Sequence, residues 1–161
     1  MNTTDLATTM TTLFGELVDG AERACYVLNS GDVGLLRSLD KLSAAASSQA
    51  ATGATIAAHV DHLHYGLSLL NRWAAGENAW ADADWSASWR ITAVSEPEWE
   101  QLRAKLRTEA HRALTVLSTP RDVSPIELNG MVGAIAHLAY HLGAIRQIHK
   151  AIKGPAESNA Q

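Results

Sequence analysis

The chain has little of several things, and each shortage excludes something. One cysteine in 161 residues rules out an internal disulfide framework, a cysteine-rich zinc finger and a cysteine-ligated iron–sulfur cluster. It fits a reducing compartment. Four prolines and one phenylalanine stand against 28 alanines, a balance that favours close-packed helices. No basic run is longer than two residues and the net charge is −4, so non-specific nucleic-acid binding has no electrostatic footprint. No apolar stretch approaches the roughly 20 residues that span a bilayer. The start, Met1-Asn2-Thr3-Thr4-Asp5, lacks the basic head and apolar core of a signal peptide. The expectation is a soluble, cytoplasmic protein with neither nucleic acid nor membrane as partner.

What is present is a globular balance, 47% apolar and 19% charged. The length suits one domain, expected over residues 1–154, with 155–161 a polar, flexible tail. Seven histidines and five tryptophans are the unusual counts.

Four long segments carry the 3.6-residue apolar period, and no segment reads as a strand. The first runs from about Thr4 to Leu28, and Asn29-Ser30-Gly31-Asp32 follows as a turn. A shorter helix is expected over about Val33–Ala46, and the Ser/Ala/Gln/Thr stretch after it has no clear boundaries. The second long helix runs from about Gly53 to Ala75, stopped by Gly76. Residues 77–94 form a loop, long for a compact domain, that holds Trp80, Trp85 and Trp89 and is therefore expected to be pinned down.

Ser95-Glu96-Pro97-Glu98 is a capping box that starts the third long helix, which runs to about Leu117. Ser124-Pro125-Ile126-Glu127 is a second capping box, although Asn129 offers a later start. The fourth helix is expected to reach Gly154-Pro155, with Lys150 and Lys153 facing its C-terminal dipole. The fold expected is all-α: an antiparallel four-helix bundle with a short extra helix. The 77–94 connection suits a crossover between the second and third long helices.

The histidines carry the chemistry. His137 and His141 are four apart, on one face and one turn apart, so both can reach one metal ion. His59 and His62 are three apart and also share a face. A pair on one helix and a third imidazole from a facing helix make a three-histidine site with open positions, the catalytic arrangement. Either His59 or His62 can supply the third. Neutral imidazole suits Zn, Ni, Fe or Cu better than Mg or Ca. The bland alternative is a pair at a helix edge making ordinary hydrogen bonds. His64, His111 and His149 read as surface or rim residues; His149 lies about 120° from the His137 face, and His64 about 200° from His62.

Two segments resemble a known family. Ile56-Ala-Ala-His59-Val-Asp-His62-Leu63 resembles the second-helix signature of the DinB-like superfamily, and His137-Leu-Ala-Tyr-His141-Leu-Gly143 resembles its fourth-helix signature. The resemblance covers most of the chain, including helix order and the long crossover. It implies a metal-dependent bundle with His62, His137 and His141 as ligands to a divalent ion (Zn, Ni, Fe or Mn). His62 matches the family's ligand because it directly precedes Leu63. The family motif often continues Arg-Gly-Gln after its second histidine, where this chain has Leu-Gly-Ala, so the resemblance carries the metal site and not the substrate contacts.

Characterised relatives are low-molecular-weight thiol S-transferases and a mycothiol-dependent isomerase. The implied function is a metal-dependent transferase or hydrolase that acts on a small molecule, with a low-molecular-weight thiol as candidate partner. A bound ion would lower the pKa of a thiol or water. Tyr140, Asn71 and Arg146 are candidates to stand behind the ligands, and His59 is a candidate general base. Cys25 is expected to be a buried small hydrophobe. The tryptophans either line a pocket over the metal, stitch the crossover to the bundle, or face a dimer partner. The alternatives are a non-catalytic helical homodimer and a metal or ligand sensor.

Overall fold

A computed structural model describes residues 2–21, 25–51 and 53–156. Its six α-helices are α1 (Thr3–Asp19), α2 (Gly34–Leu39), α3 (Ala44–Ser47), α4 (Ile56–Ala74), α5 (Glu96–Leu117) and α6 (Pro125–Ile148). There is no strand among the described residues, so the protein is all-α. No helix among them is long and apolar enough to cross a membrane. α4 packs on α5 and α6, and α1 packs on the same two. Phe14, Leu17, Leu63, Trp99, Leu106 and Leu138 are buried where these helices meet.

Local chemistry explains most boundaries. The Asn2 side chain accepts the Asp5 amide at 2.8 Å to start α1. Thr55 caps α4 by accepting the Ala58 amide, which moves the start from the expected Gly53 to Ile56. Gly76, at φ +89, follows the end of α4 as expected. Both capping boxes form, Ser95 with Glu98 and Ser124 with Glu127.

Three expected helices need correction. α1 ends at Asp19, not Leu28. Gly20, at φ +95, turns the chain, and a Cβ there would strike the backbone of Asp32 and Val33. Beyond it, the buried Glu16 carboxylate accepts the backbone N–H groups of Tyr26, Val27 and Leu28 at 2.9, 2.8 and 2.5 Å. Inside a helix these N–H groups would be committed to carbonyls four residues back, so the three residues do not continue α1. Ala24, part of the expected first helix, lies outside the described residues. Cys25 is exposed, not buried, because the helix that would have carried it inward has already ended. The expected Val33–Ala46 helix is two short ones, α2 and α3. α6 stops at Ile148, where His149 is extended (φ −128), so Lys150 begins a separate 3-10 turn and Lys153 ends it, away from the helix end. Of the expected tail, 157–161 lie outside the described residues, and the Pro155 carbonyl accepts a hydrogen bond from Asn29 at 2.8 Å.

The 77–94 connection is pinned to α4 and α3. The Asp84 amide donates to the Tyr65 hydroxyl (2.9 Å), Ser88 donates to Asp61 (2.6 Å) and Thr55 donates to the Ile91 carbonyl (2.7 Å). The Val94 amide donates to Ser48 at 3.0 Å. A single 3-10 turn, Ala87–Arg90, lies between these ties.

Trp99 has a structural role. It is fully buried, and its indole N–H donates to the Leu42 carbonyl at 2.8 Å. Trp99→Phe keeps most of the apolar contact and leaves that buried carbonyl without its donor. The expected cost is about 1–3 kcal/mol, read from the urea unfolding midpoint. An unchanged midpoint would show that the bond contributes nothing net.

Candidate metal centre

α4 and α6 bring four histidines together, and the geometry follows from helical spacing. His137 and His141 sit one turn apart on the side of α6 that carries the buried Leu138, Leu142 and Ile145. His59 and His62 sit one turn apart on α4. The His137 Nε2 lies 3.1 Å from His62 Nε2 and 2.9 Å from His141 Nε2. His59 Nδ1 lies 2.8 Å from His141 Nδ1. His62, His137 and His141 each offer one nitrogen within 4.8 Å of the others, a group able to hold a metal ion. His59 touches the group through the far nitrogen of His141.

The donor set fits a metal. With bonds of about 2.1 Å, two nitrogens at right angles around one ion lie about 3.0 Å apart, and about 3.4 Å apart in a tetrahedron. The observed separations of 3.1 and 2.9 Å match the former. Hydrogen bonding alone satisfies the three nitrogens poorly. Each neutral imidazole nitrogen holds either one proton or one in-plane lone pair. His137 Nε2 therefore cannot make two full hydrogen bonds, yet two nitrogens face it. A cation that takes all three lone pairs removes the conflict. The protons would then sit on Nδ1: that of His141 would donate to His59 Nδ1, the kind of outer support that fixes a ligand's tautomer, while the buried His62 Nδ1 has no partner.

Electrostatics keep the cluster neutral. Burial lowers the pKa values of His59 and His137. His62 is lowered by burial first, then by His137 and His59, against a small opposing effect of Asp61. His141 is pushed from the ordinary 6.5 down to about 3, by burial first and then by His137, His59 and His62. Imidazoles that resist protonation keep lone pairs available at neutral pH. The sign for folding follows from linkage. Below 6.5 the unfolded chain takes up protons that the folded metal-free protein refuses, so stability falls as pH drops towards 3. Urea midpoints of metal-free protein between these limits check this, and His141→Gln is expected to flatten the profile. An equally steep profile in the variant would assign the effect to other groups.

The tryptophans divide between the expected roles. Trp99 is core. Trp89 covers the cluster, its ring 4.5 Å from that of His62 and stacked at 6.0 Å on His141. Trp85 lies 5.4 Å from His62 and stacks on Trp80 at 6.2 Å. These residues both attach the crossover and cover the histidines.

Other expected residues lie elsewhere. Tyr140 packs edge-on against His141 at 4.9 Å but is 70% exposed. Asn71 bonds Glu109 on α5, and Arg146 pairs with Asp32 (2.7 Å), so neither stands behind the ligands. His64 is half-buried beside Asp61. His111 faces Asp19 at 3.2 Å, exposed, and His149 accepts the Ala151 amide. The contact of His59 with His141 and the cover of Trp89 had no signal in residue spacing. Both depend on the register between α4 and α6 and on the path of the crossover.

Comparison with family models, with curated proteins and with solved structures gave no match.

Proposed function

We propose that this chain is a DinB-like four-helix bundle that holds a divalent metal through His62, His137 and His141. In this reading it is a transferase or hydrolase acting on a small molecule. The convergence of three imidazole nitrogens from α4 and α6 carries the reading. The packing of α1 and α4 on both α5 and α6, with a long crossover between α4 and α5, supports the bundle architecture. The two histidine segments support the family.

A bound ion of the Zn, Ni, Fe or Mn type would supply Lewis acidity and a lowered pKa for a bound thiol or water. The chain's own residues do the rest. His59 holds the proton of His141 Nδ1 in place. Trp89 and Trp85 keep water from one side of the cluster. His59 thereby serves as a support for a ligand, not as a free general base.

Protein purified without a histidine tag and loaded with each metal tests the reading. About one equivalent per chain is expected, and thiols offered with electrophilic acceptors should give product only when metal is present. Less than about a tenth of an equivalent with every metal would sink it. Tight metal binding without any product would favour a sensor.

A homodimer is favoured by one further observation. Val132, Ala136, Tyr140 and Gly143 form an exposed strip along α6 without a charged side chain. A helix apolar on every side is ordinarily buried. Light scattering is expected to give twice the chain mass, and Val132→Lys to return it to one.

A further inference from the structure

Beside the histidine cluster lies a cavity of about 630 Å³, and its lining identifies the chemistry of what it takes. His62 and His137 form one corner. Trp73, Trp80 and Trp85 form a wall, with ring centres 6.4 and 6.2 Å apart in sequence order. Leucines 63, 67 and 70 from α4 and Gly130, Gly133 and Ala134 from α6 supply the remainder. No lining side chain is charged, and the ones with polar atoms are Asn129, the two histidines and the three tryptophans with their indole N–H donors.

Glycines shape this space. A Cβ at Gly130 would lie 3.1 Å from the Trp73 ring, and one at Gly66 would lie 3.4 Å from the Trp85 ring. Gly130 thus lets the α6 backbone approach the Trp73 indole, while at Gly66 the contact would be an ordinary one. Gly133 differs: it lines the cavity, and a Cβ there would meet nothing within 4 Å.

We infer that the cavity takes an uncharged, largely apolar, ring-bearing molecule, with its reacting group towards the His62–His137 corner. Three observations carry this. The volume is that of a site for a small organic ligand. Three indoles offer faces and edges for ring stacking. Away from the His62–His137 corner a charged group would find no opposite charge in the lining, so it would lose hydration there without compensation. The position of the reacting group rests on the metal reading; occupation of the cavity does not.

Two fluorescent probes with one ring system separate shape from charge: neutral N-phenylnaphthylamine and its sulfonated relative, anilinonaphthalene sulfonate. One equivalent of the neutral probe is expected to bind, at least about tenfold more tightly than the sulfonate. Gly133→Leu, which also gains helix propensity, should weaken the neutral probe by at least about tenfold and leave metal content unchanged. Ile126→Lys, at the exposed rim of the cavity, should tighten the sulfonate and not the neutral probe. Equal affinity of wild type for the two probes, or neutral-probe binding undiminished in Gly133→Leu, would overturn the inference. Probe binding as expected in a protein that takes up no metal would leave the cavity assignment standing and remove the metal reading.

Discussion

Metal bound to the His137→Ala protein is expected to fall below about a tenth of the wild-type amount at equal free metal. His137 is where the loss should be greatest. Its Nε2 faces both His62 and His141 at 3.1 and 2.9 Å, so its loss removes the nitrogen that stands closest to both of the others. Two ligands on different helices then hold an ion without the group that joins them. His59→Phe should behave differently. His59 reaches the cluster only through His141 Nδ1, and loss of such an outer partner typically weakens a metal by about 10–100-fold. Elemental analysis and competition with a chromophoric chelator give both numbers, and circular dichroism confirms that each variant is folded. If His59→Phe empties the site while His62→Ala keeps its metal, the ligand on α4 is His59. If all three variants keep wild-type metal, the cluster is a hydrogen-bonded group and nothing more.

Much of this site was legible because it obeys periodicity. Two histidines four apart must share a helix face, and the apolar residues around His137 and His141 turn that face inward. The two capping boxes were legible for a similar reason: a serine and a glutamate three residues on satisfy local N–H groups whatever the rest of the chain does. The first helix was misread because Ala21 and Leu28 fit the helical period while Glu16 holds the following N–H groups in another conformation. A side chain that captures backbone 10–12 residues away leaves no periodic trace. The same holds for the cavity. Its tryptophans stood out by number, but which of them faced His62, which lined space and which was core depended on how the crossover lies on α4. Trp99 and Trp89 are alike in the sequence and opposite in role.

Arg146 shows the limit of a motif most clearly. It follows the histidine pair by five residues, which made it a candidate to stand behind the ligands, yet it pairs with a residue 114 positions earlier. The Asp32 side chain is 2% exposed and accepts from both the Arg146 guanidinium at 2.7 Å and the Gly34 amide at 2.9 Å. The pair fastens the turn before α2 to the last turn of α6. Asp32→Ala leaves a mostly buried guanidinium without its counter-charge and an amide without its acceptor. Breaking a buried pair in this way costs about 3–5 kcal/mol. Total stability of such a domain is about 5–15 kcal/mol, so the variant is expected to melt at far lower temperature or urea. The two roles for Arg146 predict different metal behaviour. An anchor that is remote from the metal lowers stability and leaves the affinity of the folded fraction unchanged. A support for a ligand would change that affinity. Asp32→Asn, which keeps the acceptor for Gly34 and removes the charge, should fall between wild type and Asp32→Ala in stability. A wild-type unfolding midpoint for Asp32→Ala would show that the pair contributes nothing to holding α6 in place.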